Sequence, residues 1–233
     1  MKVLAFDTAT PVTSVAVGID GAVVAEISIT GDKVQMERLM PMIDAALREA
    51  GITVRDLEGI AVGVGPGLFT ALRIGVTTAN TLSQVLRVPV VGVSSLDILA
   101  AGIAYRGGLI AAAIDARRRE VFAALYCVTE GVIGIIAPEH VIEPGTLAEE
   151  LAAYDEPIAM VGDGFSAYCS VMRDRLENRV TLASPEFMYP RASSLLMLAE
   201  PALRAAVPGV PGLVAPVYVR QPDAVELIKK MRR

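Results

Sequence analysis

Short apolar runs alternate with longer stretches of helical periodicity over the first 95 residues. Apolar runs rich in β-branched side chains predict strands, and apolar positions spaced three and four apart predict helices. The predicted strands cover residues 2–6, 14–18, 22–29, 60–64 and 88–93, and the predicted helices cover 35–50 and 69–86. This β-β-β-α-β-α-β order, followed by a helix capped by Ser94 or Ser95, indicates an α/β fold.

The same order begins again after Gly107-Gly108, the best candidate for a hinge. Each half opens with a strand that ends in an acid, Asp7 or Asp115, and continues into a hairpin. We therefore expect a duplicated fold, with lobes at 1–104 and 105–207 and an extended surface tail at 208–233, anchored by 216–220. The second half has predicted strands at 109–114, 120–128, 131–136 and 158–161, and helices at 146–153, 165–173 and 193–204, the last interrupted by Pro201.

The segment 60–86 joins a buried strand, the turn Gly65-Pro66-Gly67 and a long helix. Such a turn collects backbone N–H groups at the positive end of a helix dipole, which suits an anion, although glycines here serve packing equally well. The helices at 35–50 and 69–86 are apolar on more than one side. Each therefore needs a second partner besides its own sheet, either another layer of the fold or another chain.

Composition and charge narrow the classes of protein. The 233 residues are 53% hydrophobic and 20% charged, which is enough to bury a core. The formal net charge of −5 argues against a broad nucleic-acid-binding surface of this chain's own but leaves open a local patch or an RNA-binding partner. Cys127 and Cys169 are isolated, which fits a reducing compartment and gives no zinc site. The apolar run before Asp7 is too short for a signal peptide and no stretch would span a bilayer, so we expect a cytoplasmic protein.

Motifs that carry chemistry are sparse. The chain lacks GxSxG, HExxH and the GxxxxGKS or GxxxxGKT phosphate loop, and its one histidine, His140, has no nucleophile motif near it. No catalytic residue and no metal ligand is therefore predicted. The acid and hydroxyls of the first turn, at Asp7, Thr8 and Thr10, could hold a phosphate or a hydrated cation, or satisfy the turn backbone.

Five segments together resemble the TsaB (YeaZ) family, the small partner subunits in bacterial synthesis of threonylcarbamoyladenosine (t6A) on tRNA. They span nearly the whole chain and read FDTATPVTSVAV, GVGPGLFTALRIGV, VPVVGVSSLD, AAIDARRREVFAALY and PVYVR. The resemblance implies the two-lobed actin/Hsp70-like ATPase (ASKHA) fold, in which each lobe is a mixed sheet with helices. This agrees with the duplicated order predicted from periodicity.

The resemblance also implies a role without catalysis. The related transferase TsaD carries a His-x-x-x-His pair for the metal needed in threonylcarbamoyl transfer, and the matching positions here are Ser95 and Leu99. Serine is a poor ligand for such a metal and leucine is none, so this chain is not expected to perform the transfer. The same loss counts against a metallopeptidase. An independent ATPase or small-molecule kinase of the same fold is the alternative function.

Instead, the resemblance implies a dimerisation subunit that binds and activates TsaD for transfer of threonylcarbamoyl to N6 of adenosine 37, in tRNAs reading codons that begin with A. TsaE is expected to join the assembled pair, tRNA to bind only through the complex, and the chain alone to form a homodimer. The interface is expected on the helices 35–50 and 69–86, at Met36, Leu39, Met40, Ile43, Leu47, Leu72, Ile74, Val76, Ala79 and Leu82.

The fold further implies weak ATP or ADP binding in the cleft between the lobes. Because both aspartates also cap their turns, a purely structural role for them is the competing interpretation. The residues expected to contact the nucleotide are Asp7, Thr8, Thr10, Asp115, Gly162 and Gly164.

Overall fold

The computed structural model describes residues 1–31 and 34–220, which form two lobes with the same strand topology. In the first sheet, β1 (Lys2–Asp7) pairs antiparallel with β2 (Val12–Ile19) and parallel with β4 (Gly59–Gly63), while β3 (Ala22–Thr30) and β5 (Val90–Val93) form the edges. The helices of this half are α1 (Val34–Glu49), α2 (Phe69–Leu86) and α3 (Ser95–Gly102). The predicted order of elements is confirmed.

The second sheet repeats this arrangement and confirms the predicted duplication. Its order, β8-β7-β6-β9-β10, matches β3-β2-β1-β4-β5 strand for strand, including the antiparallel and parallel pairings. The strand β10 was not predicted, because three residues carry too little periodicity to be recognised. The elements are β6 (Gly108–Asp115), β7 (Val121–Thr129), β8 (Val132–Ile142), α4 (Pro144–Ala152), β9 (Ile158–Val161), α5 (Asp163–Ala167), α6 (Cys169–Leu176), β10 (Val180–Leu182) and α7 (Ala192–Ala205).

Each central strand is covered on both faces, which explains its continuous apolar sequence. On β1, Leu4 and Phe6 belong to a cluster with α1 and α2, whereas Val3 and Ala5 belong to a cluster with α7. Successive side chains of a strand point to opposite faces, so one apolar run serves two layers of helix. The strand β6 is enclosed in the same way by two further clusters.

The last helix of each half packs across the boundary between the lobes. Leu195 of α7 is fully buried against the first sheet, although α7 follows the second sheet in the chain. In the opposite direction, Leu99 of α3 packs in a cluster with Ile110 of the second sheet. The predicted second lobe, 105–207, is therefore corrected: α7 lies in this range of the chain but packs on the first sheet. The boundary was misplaced because sequence order does not reveal which sheet a terminal helix covers.

The helix α7 continues through Pro201, where the sequence predicted an interruption. Proline removes one backbone donor and crowds the preceding turn, which normally disfavours a helix interior. Leu203, beyond the proline, is 3% exposed and packs with Val3 and Ala61 of the first sheet. Burial of this side chain offsets the local cost and keeps the last turn helical.

The segment after α7, residues 206–220, contacts both lobes, and we call it the strap. Val214 exchanges hydrogen bonds with the Asn80 side chain of α2 at 2.9 and 3.0 Å, and the Val217 N–H donates to the Val64 carbonyl at 2.8 Å. Further on, the Arg220 guanidinium donates to the Ala116 carbonyl at 2.8 Å. The predicted anchor at 216–220 is therefore one of several points at which this segment is bonded to the lobes. Residues 221–233 of the predicted tail lie outside the described residues.

We expect Leu195→Ala to lower the free energy of unfolding by about 3 kcal/mol, because it leaves a cavity between α7 and the first sheet. Met197→Ala is the control on the same helix, since Met197 is 55% exposed and its loss should cost under about 1 kcal/mol. Urea unfolding followed by circular dichroism measures both. Equal effects of the two substitutions would contradict the placement of α7.

Candidate functional site

The buried carboxylate of Asp7 lies where the first turn meets α3. It accepts hydrogen bonds from the Ala9 N–H at 2.8 Å and from the Ser95 hydroxyl at 2.7 Å. Burial raises the pKa of Asp7 to about 6, and these two hydrogen bonds only partly oppose the shift. A Cβ on Gly63 would lie 1.8 Å from Asp7 Oδ2, so this strand position accepts only glycine. Asp7 therefore joins β1 to α3.

The two threonines of the first turn also face inward. The Thr8 hydroxyl donates to the Ala71 carbonyl of α2 at 2.8 Å, and the Thr10 hydroxyl donates to the Val12 carbonyl at 3.1 Å. The Leu68 N–H, at the start of α2, donates to the Ala9 carbonyl at 2.7 Å. The glycine turn before α2 is thus packed onto the first turn. Of the two threonines, Thr8 bonds to α2 and Thr10 bonds within its own turn.

The second acidic turn brings together the predicted residues of the second lobe. The Asp115 N–H donates to Asp163 Oδ1 at 3.0 Å, and Asp115 faces the Arg117 guanidinium at 3.2 Å. Gly162 has φ +110°, and a Cβ there would lie 2.0 Å from the Ala113 carbonyl oxygen. A Cβ on Gly164 would lie 3.0 Å from Ala113, which is also a tight contact. The glycines therefore serve the close approach of this turn to β6.

Asp163 was not among the predicted site residues, although it lies between the two glycines of the turn. Burial raises the pKa of Asp163, and the neighbouring charge of Asp115 adds to that effect. Its partner at this edge is the Asp115 backbone. The signal in the sequence was the Gly-Asp-Gly triplet at 162–164 following a short apolar strand.

A cavity of about 440 Å³ lies between the lobes beneath the strap. We call it the strap pocket. Of the six residues predicted to contact a nucleotide, only Asp115 lines it. Three arginines at the β6–β7 turn, Arg117, Arg118 and Arg119, have φ of +60°, +56° and +61°, a conformation that non-glycine residues rarely adopt. The strap pocket is lined by residues 66–69, Leu72, 115–118, Phe122 and 217–220.

The predicted interface residues divide into buried and surface groups. Met36 and Met40 of α1 are 69% and 53% exposed, and Ile74 and Leu82 of α2 are partly buried. The other six are core side chains of the first lobe and cannot contact a partner directly, so the prediction is corrected for them. They face the sheet because α1 and α2 each use their broadest apolar stripe for packing. These six are Leu39, Ile43, Leu47, Leu72, Val76 and Ala79.

A shallow groove of about 490 Å³ runs beside the surface group, between α1 and α2. We call it the α1–α2 groove. Met40, Ile74 and Leu82 supply its apolar part, and Arg73 lies at one end. Its polar lining comes from the hydroxyls of Thr77, Thr78 and Thr81. The groove is therefore an amphipathic surface on the first lobe.

Comparison with known proteins assigns the chain to a family. A family profile described as "TsaD: tRNA N6-adenosine threonylcarbamoyltransferase" matches residues 24–226. The tRNA threonylcarbamoyladenosine biosynthesis protein TsaB of Bacillus subtilis is 32% identical over 96% of each chain, and that of Escherichia coli is 33% identical over 85% of this chain and 86% of its own. The chain belongs to the TsaB (YeaZ) family.

Solved structures agree with the TsaB assignment. YeaZ from Pseudomonas aeruginosa is 32% identical, covers 91% of this chain and 99% of its own, and superposes with a TM-score of 0.76. A hexokinase from Thermus thermophilus shares the fold alone, with a TM-score of 0.50, 13% identity and coverage of 88% and 100%. The two-lobed actin/Hsp70-like fold class is thereby confirmed.

In this TsaB-family chain, the two positions matched to the transferase's histidine pair have other tasks. Ser95 is fully buried and donates to Asp7, while Leu99 is 2% exposed and packs against the second sheet. His140 lies elsewhere, with Nδ1 2.9 Å from the Pro138 carbonyl oxygen and Nε2 3.6 Å from Glu150. Within residues 1–31 and 34–220, no three His, Cys, Asp or Glu side chains are grouped to hold a metal ion. No helix in these ranges could cross a membrane.

The raised pKa of Asp7 predicts a pH dependence of stability. The folded state binds this proton more tightly than the unfolded chain does. The contribution of Asp7 to the free energy of unfolding is therefore most favourable below pH 4. It should fall by about 3 kcal/mol as pH rises from 3.8 through about 6. Asp7→Asn removes the titration, so the difference in unfolding free energy between wild type and variant should change over this window.

Urea unfolding at several pH values measures that difference. Ser95→Ala is the directional control, since it removes a hydrogen bond that lowers the pKa of Asp7 and should extend the fall to higher pH. Parallel stability curves for wild type and Asp7→Asn between pH 4 and 7 would show that Asp7 is not the titrating group.

Proposed function

We propose that this chain is a non-catalytic subunit in t6A biosynthesis, which binds a TsaD-type threonylcarbamoyltransferase and activates it. The names of its relatives support a role in t6A synthesis. The observation that carries the non-catalytic assignment is the pair Ser95 and Leu99. One side chain is hydrogen-bonded inside the protein and the other is part of the core between α3 and the second sheet.

Metal chemistry at that position would need different side chains. Transition metals in transferase sites take imidazole, carboxylate or thiolate ligands, and a leucine offers no donor atom. Replacing Ser95 by histidine would also displace the hydroxyl that donates to Asp7. The polar side chains of the first turn and of the start of α3 are thus bonded to each other inside the protein. This favours a non-catalytic subunit over a catalyst.

The surface for the partner is proposed to be the α1–α2 groove with Met36 and Met40. Methionine is unbranched and polarizable, so it adapts to the shape of a partner surface. Two exposed methionines on one helix beside an apolar groove form the kind of patch that marks protein interfaces. In the proposal, the same surface supports a homodimer when the partner is absent, and TsaE joins the assembled pair.

Activation by such a subunit must work through differential binding. A scaffold shifts its partner toward the active state only if it binds that state more tightly than the inactive one. The rigid packing of α1 and α2 on the first sheet, through side chains such as Leu39 and Val76, gives the groove a fixed shape. A fixed template of this kind can select one conformation of a partner.

Light scattering of the chain, alone and mixed with TsaD from its own organism, tests the proposal when t6A formation is assayed on the same fractions. The proposal expects a self-dimer that gives way to a heterodimer, with activity only in the mixture. A chain that modifies tRNA by itself would refute the non-catalytic role. ATP hydrolysis by a chain that does not bind TsaD would favour the independent ATPase.

Met40→Glu should weaken binding to TsaD at least tenfold, because it introduces a charge into the groove without touching the core. Met197→Glu is the matched control, since Met197 is 55% exposed on α7 and Met40 is 53% exposed on α1. Both variants should retain the wild-type circular dichroism spectrum. Equal affinity of Met40→Glu and wild type for TsaD would exclude the groove as the interface.

A further inference from the structure

The strap pocket combines apolar walls with a positively charged mouth. Its lining includes Arg117, Arg118 and Arg220 and one acid, Asp115, so the lining residues carry a formal charge of +2. Arg117 faces Asp115 at 3.2 Å, and Arg220 pairs with Glu120 next to the lining, so the local excess is one positive charge. The whole chain carries −5, so this charge is local. At about 440 Å³ the pocket lies in the size range of small-molecule sites. The remainder of its lining is mostly apolar or aromatic.

The arginines at the mouth are held by a turn in an unfavourable backbone conformation. Three consecutive non-glycine residues, Arg117 to Arg119, have positive φ. Such residues persist only where the surrounding structure fixes them, and they concentrate at binding and switching sites. Here the Arg117 N–H donates to Asp115 Oδ1 at 2.8 Å, which fixes the start of the turn. The turn therefore places the cationic side chains of Arg117 and Arg118 in the lining of the cavity.

Aromatic rings line both sides of the pocket and are already paired with guanidinium groups. The rings of Phe69 and Tyr218 are 5.2 Å apart, and the Arg73 guanidinium lies 3.9 Å from the centre of the Phe69 ring. On the other lobe, the Arg220 guanidinium lies 5.8 Å from the Phe122 ring centre. Aromatic faces beside arginines recur in proteins that bind single-stranded nucleic acid, where bases stack and phosphates meet cations.

We propose that the strap pocket binds an unpaired nucleotide of the RNA substrate, with the base against the apolar walls and the phosphates near the β6–β7 arginines. The inference rests on the proposed function, since t6A synthesis supplies RNA as the polyanion. It goes beyond that function because it gives this chain a direct RNA contact. A free nucleotide has the same base and phosphate chemistry, so the experiment separates the two sources.

Arg118→Glu tests the proposal, and Arg119→Glu is its matched control. Both residues lie in the same turn with positive φ and are exposed, but only Arg118 lines the pocket. Fluorescence anisotropy of a labelled tRNA transcript is measured with the full chain alone and with its complex with TsaD. Light scattering of each mixture reports complex formation separately, so failure of pairing is distinguished from loss of RNA binding.

We expect Arg118→Glu to weaken tRNA binding about tenfold and to lower the slope of log affinity against log salt by about one or more. Arg119→Glu should stay within about threefold of wild type, because Arg119 does not line the pocket and is not expected to contact a phosphate bound there. Tyr218→Leu, which keeps the bulk of the wall but removes its ring, should weaken tRNA binding about fivefold with an unchanged salt slope.

Three results would overturn the inference. If the Arg118→Glu chain pairs with TsaD normally and the complex binds tRNA like wild type, the proposed function stands without the RNA contact. Equal losses of tRNA affinity in Arg118→Glu and Arg119→Glu would indicate a general electrostatic attraction and not a binding pocket. Finally, calorimetry could show that the wild-type chain binds ATP and that Arg118→Glu does not, while both bind tRNA equally. This result would assign the pocket to a free nucleotide.

Discussion

The exchange of α3 and α7 between the two sheets is the constraint on which the rest of this structure depends. Each helix follows one sheet in the chain and packs against the other, so Leu99 is buried in a cluster of the second sheet and Leu195 in a cluster of the first. The exchange also places the start of α3 beside the first turn, where Ser95 meets Asp7. Because an apolar core transmits displacement rather than absorbing it, the lobes are expected to behave as one mechanical unit.

This arrangement changes what the cleft can do. A carboxylate and two hydroxyls in a turn at the end of a strand are suited to a phosphate or a cation, yet here all three have hydrogen-bond partners inside the protein. The buried carboxylate reduces stability near neutral pH, because burial disfavours its charged form. The surfaces proposed to bind other molecules are therefore the α1–α2 groove on the first lobe and the strap pocket, which is lined by three arginines and one acid.

The site was harder to predict from the sequence than the fold. The apolar periodicity of α1 and α2 predicted a second partner for each helix, but it did not distinguish inward from outward faces. Leu72 and Ile43 proved to be core, whereas Met36 and Met40 lie at the surface. The strap pocket was also missed, since it joins residues 66–72 to 115–122 and 217–220. Only the arginine run at 117–119 gave a local signal for it.

The sequence by itself determined the order of elements, the duplication and the family, because period-two and period-3.6 patterns and short motifs are local properties of the chain. Tertiary structure alone decided that α7 covers the first sheet, that the helix continues past Pro201, and that the tail crosses both lobes as a strap. It also decided that Asp7 is bonded internally. These outcomes depend on contacts between residues far apart in sequence, whose energies of burial and hydrogen bonding no local pattern encodes.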